Sequence, residues 1–237
     1  AVGDNGVVLK TNNGGQSWIN LNSYIFYNIE SVHFIDAQIG WVAGQSGIQK
    51  TTNGGINWQS PTITFDDSWL YSIHFTNSLS GCAVGYNGKI IKTNDGGVSW
   101  VLQNSATTKN LLSVQFVDTQ NGCVVGAGGI SLKTSNGGNT WQTINNVSTN
   151  NLNSIHFFDS LSGWATGGAG TVLRTIDGGM SWQLLNKGFS NNLCSVHFKG
   201  PETGWAVGAM GTIFRTKNRG NFWQSQNSGS TQVLQSV

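Results

Sequence analysis

The sequence has 237 residues, only 9% of them charged, and twelve Lys and Arg against ten Asp and Glu leave a net charge of +2. So thin and balanced a charge excludes a nucleic-acid footprint, which needs clustered Lys and Arg. No apolar run is long enough to cross a membrane as a helix. Thirty-three Gly and two Pro indicate a chain of turns, and ten Trp with eleven Phe can fill a large core.

In chain order, Ala1-Val2-Gly3 reads as the end of a strand, followed by a hairpin between Gly3 and Gly6 and a further strand. The stretch TNNGGQSW then turns the chain and ends at Trp18. A connection carrying Tyr24, Phe26 and Tyr27 leads to SVHF (31–34), then to GWVAG (40–44), the hairpin Gly44/Gly47 and TTNGGINW, which ends at Trp58. The same order returns. The next connection carries Phe65, Asp66, Asp67, Trp69 and Tyr71, and SIHF (72–75) follows. Later copies run SVQF (113–116), SIHF (154–157) and SVHF (195–198), and their connections are mostly polar, as in NNVSTNN (145–151). The eight-residue box recurs with Trp100, Trp141, Trp182 and Trp223, so that successive box Trp residues are 40, 42, 41, 41 and 41 apart. A fixed period near 41 marks a repeat architecture.

Each repeat reads as four short antiparallel strands, which is a propeller blade. Complete repeats start near 29, 70, 111, 152 and 193, and residues 1–28 with 234–237 supply complementary parts of one more. The expectation is therefore an all-β fold: a six-bladed β-propeller of four-stranded antiparallel blades, forming a single domain over residues 1–237. It would close by pairing of its N- and C-terminal strands, which removes exposed sheet edges. Seven or eight blades is the alternative. Because the chain begins inside a repeat, it is read as a module of a larger protein.

The third box position holds Asn13, Asn53, Asp95, Asn136, Asp177 and Asn218. Both residue types offer a side-chain oxygen to backbone N–H groups in a turn. Calcium would call for more carboxylates, so the box is read as a structural staple with no metal. Trp18, Trp58, Trp100, Trp141, Trp182 and Trp223 are expected to pack under the turn or between blades.

The pattern [ST]-x-[DN]-x-G-x-[ST]-W resembles the Asp-box (BNR) repeat of sialidases and related propellers. The longer pattern G-W-A-V-G-x-x-G-T-I-x-x-T-x-D-G-G-x-x-W is more similar to the photosystem II assembly and stability factor family of plants and cyanobacteria, with its bacterial relatives on secreted proteins. The resemblance covers essentially the whole chain and is specific for fold, not for function.

A sialidase-like site would need an arginine triad, a Tyr nucleophile with a Glu partner and an acid Asp. The three Arg residues do not supply the triad, because Arg174 and Arg215 occupy one repeat position and Arg219 lies inside a box. No enzyme and no cofactor is expected. His33, His74, His156 and His197 also share one repeat position, held by Gln115 in the remaining copy, which fits hydrogen bonding better than metal ligation. Cys82 and Cys123 stand where other repeats place Trp and read as buried thiols.

Two surfaces are candidates. Lys10, Lys50, Lys92, Lys133, Arg174 and Arg215 form a basic ring, once per blade. The family resembled is associated with a basic patch that engages its client, although most members here are Lys, which weakens bidentate carboxylate recognition. The other candidate is an aromatic loop face with Tyr24, Phe26, Tyr27, Trp69, Tyr71 and Tyr86. Strand order puts the 2–3 hairpins and the 4–1 connections at the same end, so these rings gather there. The sequence reading is a non-enzymatic module of a secreted or cell-surface bacterial protein, binding protein or glycan or serving as a spacer. The alternatives are an assembly factor for a photosystem-like membrane complex, in the periplasm or thylakoid lumen, and a sialidase-like hydrolase. Expected partners are a protein or carbohydrate, with no nucleic acid and no membrane insertion.

Overall fold

Each repeat opens on six residues such as Leu70-Tyr-Ser-Ile-His-Phe75, in which the first, fourth and sixth side chains are buried. Strict alternation would put the first on the wrong face. In the computed structural model the second residue bulges, and Leu70 turns back to the core. The structure describes residues 1–21, 23, 25, 27–63, 65–67, 69–145, 147–185 and 188–237. They form two compact units, Ala1–Asn104 and Ser105–Val237.

Unit 1 holds β1 (Val8–Lys10), β2 (Ile19–Leu21), β3 (Ile29–Phe34), β4 (Gly40–Gly44), β5 (Gly47–Thr51), β6 (Leu70–Phe75), β7 (Gly81–Gly85), β8 (Ile90–Thr93) and β9 (Val101–Gln103). They make sheets β1-β2, β3-β4-β5 and β6-β7-β8-β9. Val2 bridges to Val8 as a rudimentary second strand beside β1. Unit 2 holds β10 (Leu111–Phe116), β11 (Gly122–Gly126), β12 (Ser131–Thr134) and β13 (Gln142–Ile144), then β14 (Leu152–Phe157), β15 (Gly163–Gly167), β16 (Val172–Thr175) and β17 (Gln183–Leu184), and last β18 (Leu193–Phe198), β19 (Gly204–Gly208), β20 (Ile213–Thr216) and β21 (Gln224–Gln226). These are three four-stranded sheets, each strand paired antiparallel to the next. The six sheets have the meander order of propeller blades.

The sheet β3-β4-β5 departs from the four strands expected. Its fourth strand is reduced to one bridge, Lys50–Gln59. Two residues on stands Pro61, which has no N–H for the ladder. The Ile48 N–H donates instead to Asp67 Oδ2 at 3.2 Å.

The two glycines of a hairpin do different work. Gly208, which opens the last hairpin, is extended at φ −178°. Its side chain is missing for lack of room, because a Cβ there would lie 2.0 Å from the Asn192 carbonyl oxygen. The left-handed residues of that turn are Met210 and Gly211.

Neighbouring sheets within a unit interlock through rings. In unit 1, Trp41 of β4 stacks on Phe75 of β6 with centroids 3.5 Å apart, and Trp100 meets Phe75 edge-on. In unit 2, Trp164 and Trp223 hold Phe198 in the same way. Cys82 and Cys123 fill this slot in two sheets, and burial pushes their thiols up to about 12 and about 11.

The C-terminal segment of unit 2 follows the same register. The Val237 N–H donates to Ser195 Oγ, as the Val196 N–H does to Ser154 Oγ.

Candidate functional site

Most repeating residues prove to be fasteners. In the box, Thr93 Oγ1 donates to Asp95 Oδ1 and accepts from the Gly97 N–H, while Asp95 accepts from the N–H and hydroxyl of Ser99. Burial alone would raise the Asp95 carboxyl. The bonds from Ser99 and Thr93 outweigh it and hold the group at about 2. Asn136 does the same work with its amide oxygen, accepting from Thr134 Oγ1 and from the Thr140 N–H. A neutral amide therefore replaces the carboxylate without loss, as a turn staple requires. Asn13, Asn53, Asp177 and Asn218 repeat the geometry.

Fasteners also run from sheet to sheet within each unit. Trp41 Nε1 donates to the Gly96 carbonyl and Trp164 Nε1 to the Arg219 carbonyl, both in the next box. Gln115 bonds both the N–H and the carbonyl of Phe157, and His156 Nε2 lies 3.1 Å from the Phe198 carbonyl oxygen. Gln and His thus share one task. His33 meets His74 and His156 meets His197 in tilted ring contacts, at centroid distances of 4.8 and 4.5 Å. Burial, then the paired imidazole, lowers His74 to about 3 and His156 to about 4. Among the described residues no three His, Cys, Asp or Glu side chains are placed to hold a metal.

The basic ring is engaged in the same latching. Lys10 donates to the Gly54 carbonyl and Lys133 to the Gly178 carbonyl, each in the following box. Lys50 lies over the Trp41 ring and Arg215 over the Trp205 ring, at 5.4 Å. All six cations are half-buried. Burial lowers the Lys92 and Arg174 pKa values.

The aromatic candidates sit at the hairpin end. Gly211 N–H bonds to the Gln232 carbonyl and Asn191 to Thr212, so connections and hairpins do share that end. In unit 1, Tyr27, Trp69 and Tyr86 are 57%, 47% and 55% exposed. A chain of backbone bonds joins their neighbourhoods: Gln45 N–H to the Asn28 carbonyl, Trp69 N–H to the Gln45 carbonyl, Tyr86 N–H to the Trp69 carbonyl. Trp69 is held there at φ +60°. For so bulky a residue that conformation is strained, and such strain clusters at binding sites. Tyr71 is half-buried, and its pKa is raised by burial, then by Glu30 and Tyr86. Glu30 is itself raised by burial and by Asp4. Asp66 pairs with Lys89 at 3.3 Å, and Asp67 is half-buried. The structure thus gathers Tyr71, Tyr86 and Trp69 with carboxylates around them, and Tyr27 joins the same end. Tyr24 and Phe26 lie outside the described residues.

Sequence reading named Tyr71 but not the repeat position it occupies. The bulged residue of each first strand is Glu30, Tyr71, Leu112, Asn153 or Cys194. A bulge re-aims a side chain. The signal was available, because this position differs in all five copies while the Ser that follows it never changes.

A family model for the photosynthesis system II assembly factor YCF48 matches residues 57–146 and 141–234. Among solved structures, YCF48 from Cyanidioschyzon merolae is 19% identical with a TM-score of 0.77, over 98% of this chain and 81% of that one. A YCF48 bound to D1 peptide is 18% identical with a TM-score of 0.58, over 84% and 82%. The GH74 enzyme of Niastella koreensis is 16% identical with a TM-score of 0.77, over 96% of this chain but 43% of that one. These likenesses establish a β-propeller fold. No curated protein matches the chain.

Proposed function

The chain belongs to the photosynthesis system II assembly factor YCF48 family, and on that premise we propose that it is a non-enzymatic assembly factor that holds a peptide segment of a client protein. One observation carries the reading. Trp69 is half exposed in a strained conformation beside Tyr86, at the hairpin end of unit 1. Rigid aromatic side chains supply contact area at low entropic cost. The cation row serves less well as the binding surface, since Lys10 and Lys133 are turned to box carbonyls and Lys50 and Arg215 to indole rings. The family match supports the assembly-factor reading over the secreted or cell-surface module, and a structural relative with bound peptide supports a protein ligand over a glycan.

Titration of the chain with a D1 peptide, followed by calorimetry, tests the proposal. Trp69→Ala should weaken binding about tenfold or more, with the thermal midpoint nearly unchanged. Unaltered affinity in Trp69→Ala, or no binding by the unsubstituted chain, overturns it.

A further inference from the structure

Unit 2 has a pocket of about 400 Å³ lined by Thr149, Asn150, Asn151, Asn153, Gly168, Ala169 and Asn192. Four of its seven residues are Asn. Asn151 Oδ1 accepts from the Gly128 N–H, and Asn192 Oδ1 accepts from the Ala169 N–H. A backbone N–H can only donate, so each oxygen must face its hairpin and each Nδ2 must turn the other way. Asn153, the bulged residue of β14, donates through Nδ2 to the Leu193 carbonyl, which leaves its Oδ1 unspent. Asn150 Nδ2 lies 2.9 Å from Thr171 Oγ1, whose own proton is committed to the Gly168 carbonyl at 2.7 Å. Asn150 must therefore donate, and its Oδ1 is unspent as well. The fold thus pins half of each amide and leaves two N–H₂ donors and two carbonyl acceptors in fixed orientations around one pocket.

We infer that this pocket binds the main chain of an extended peptide, Asn151 and Asn192 donating to its carbonyls and Asn150 and Asn153 accepting from its N–H groups. Paired donors and acceptors of neutral charge match a peptide unit. A sugar site would use a stacking ring, and none lines the pocket. Such recognition is indifferent to side chains. The inference shares its ligand class with the reading above but does not depend on Trp69.

The test uses blocked tetra-alanine, whose only polar groups are its amide units. In the whole chain, its addition up to about 10 mM should shift the amide resonances of residues 149–153 and 192 saturably. The double variant Asn151→Asp with Asn192→Asp keeps both Oδ1 acceptors for the hairpins and turns both outward donors into acceptors. It should keep its thermal midpoint and lose about tenfold or more in affinity. Equal shifts in both proteins, no shifts in either, or shifts with maltotriose in place of the peptide overturn the inference. Trp69→Ala should leave this titration unchanged, so failure of the D1 titration and failure here are separate results.

Discussion

Phe198 in unit 2 and Phe34 in unit 1 occupy the same place in their repeats and differ in what covers them. Phe198 is 2% exposed, stacked under Trp164 and met edge-on by Trp223. Phe34 is 40% exposed, and its ring contact among the described residues is edge-on with its own box Trp58, at 6.2 Å. Among the described residues no ring stacks on Phe34 as Trp164 stacks on Phe198. That place is a cleft of about 590 Å³ floored by Val32, Phe34 and Leu21. The box Trp therefore closes the turn but does not by itself bury the strand. Burial comes from the neighbouring sheet.

The largest test of this contrast is Phe198→Ala against Phe34→Ala. The first should cost about 3–5 kcal/mol in urea unfolding, the usual loss for a buried aromatic, and the second about 1 kcal/mol. Equal losses would mean the two interfaces are equivalent in solution. Acid gives the next. His156 is half-buried, and its pKa falls from 6.5 to about 4 through burial first and the His197 charge second, against the Phe198 bond. The folded state binds fewer protons than the unfolded one, so this contribution is whole above pH 6.5 and is lost as pH falls toward 4. His156→Gln, which copies Gln115, should recover about 2 kcal/mol of the acid loss at pH 5. Thermal melts at pH 7 and 5 read the difference. The smallest is in the boxes. Thr175→Val strands the buried Gly179 N–H and should cost about 1–2 kcal/mol, while at Thr11→Val water can serve Gly15 and the cost should be under about 0.5 kcal/mol.

What was legible in the sequence follows the same division. Box, hairpin and first strand could be read because each is a local pattern repeated near period 41. Partners could not. Lys10 was visible as one of a row, but nothing local points it at the Gly54 carbonyl one repeat away. Of this hairpin pair, Gly211 takes the positive φ a tight turn needs, while Gly208 is fixed by the Asn192 carbonyl that a fold contact brings to it. The shortened sheet was signalled by Pro61, whose effect on the ladder was not drawn from the sequence. The aromatic end was partly legible, because Trp69 and Tyr86 break the repeat. Asn153 stood at a position marked by its variation, but that its strand bulges there shows only in the pairing with β15.

The sheet-to-sheet bonds reach one repeat forward: Ser113 to Ile155 and Ser154 to Val196 each span 42 residues, and Trp41 to Gly96 and Trp164 to Arg219 each span 55. A coupling of that reach makes stability a sum over adjacent pairs. Gene duplication can then insert a whole copy by matching a single new junction, and no distant side chain has to be re-evolved to receive it.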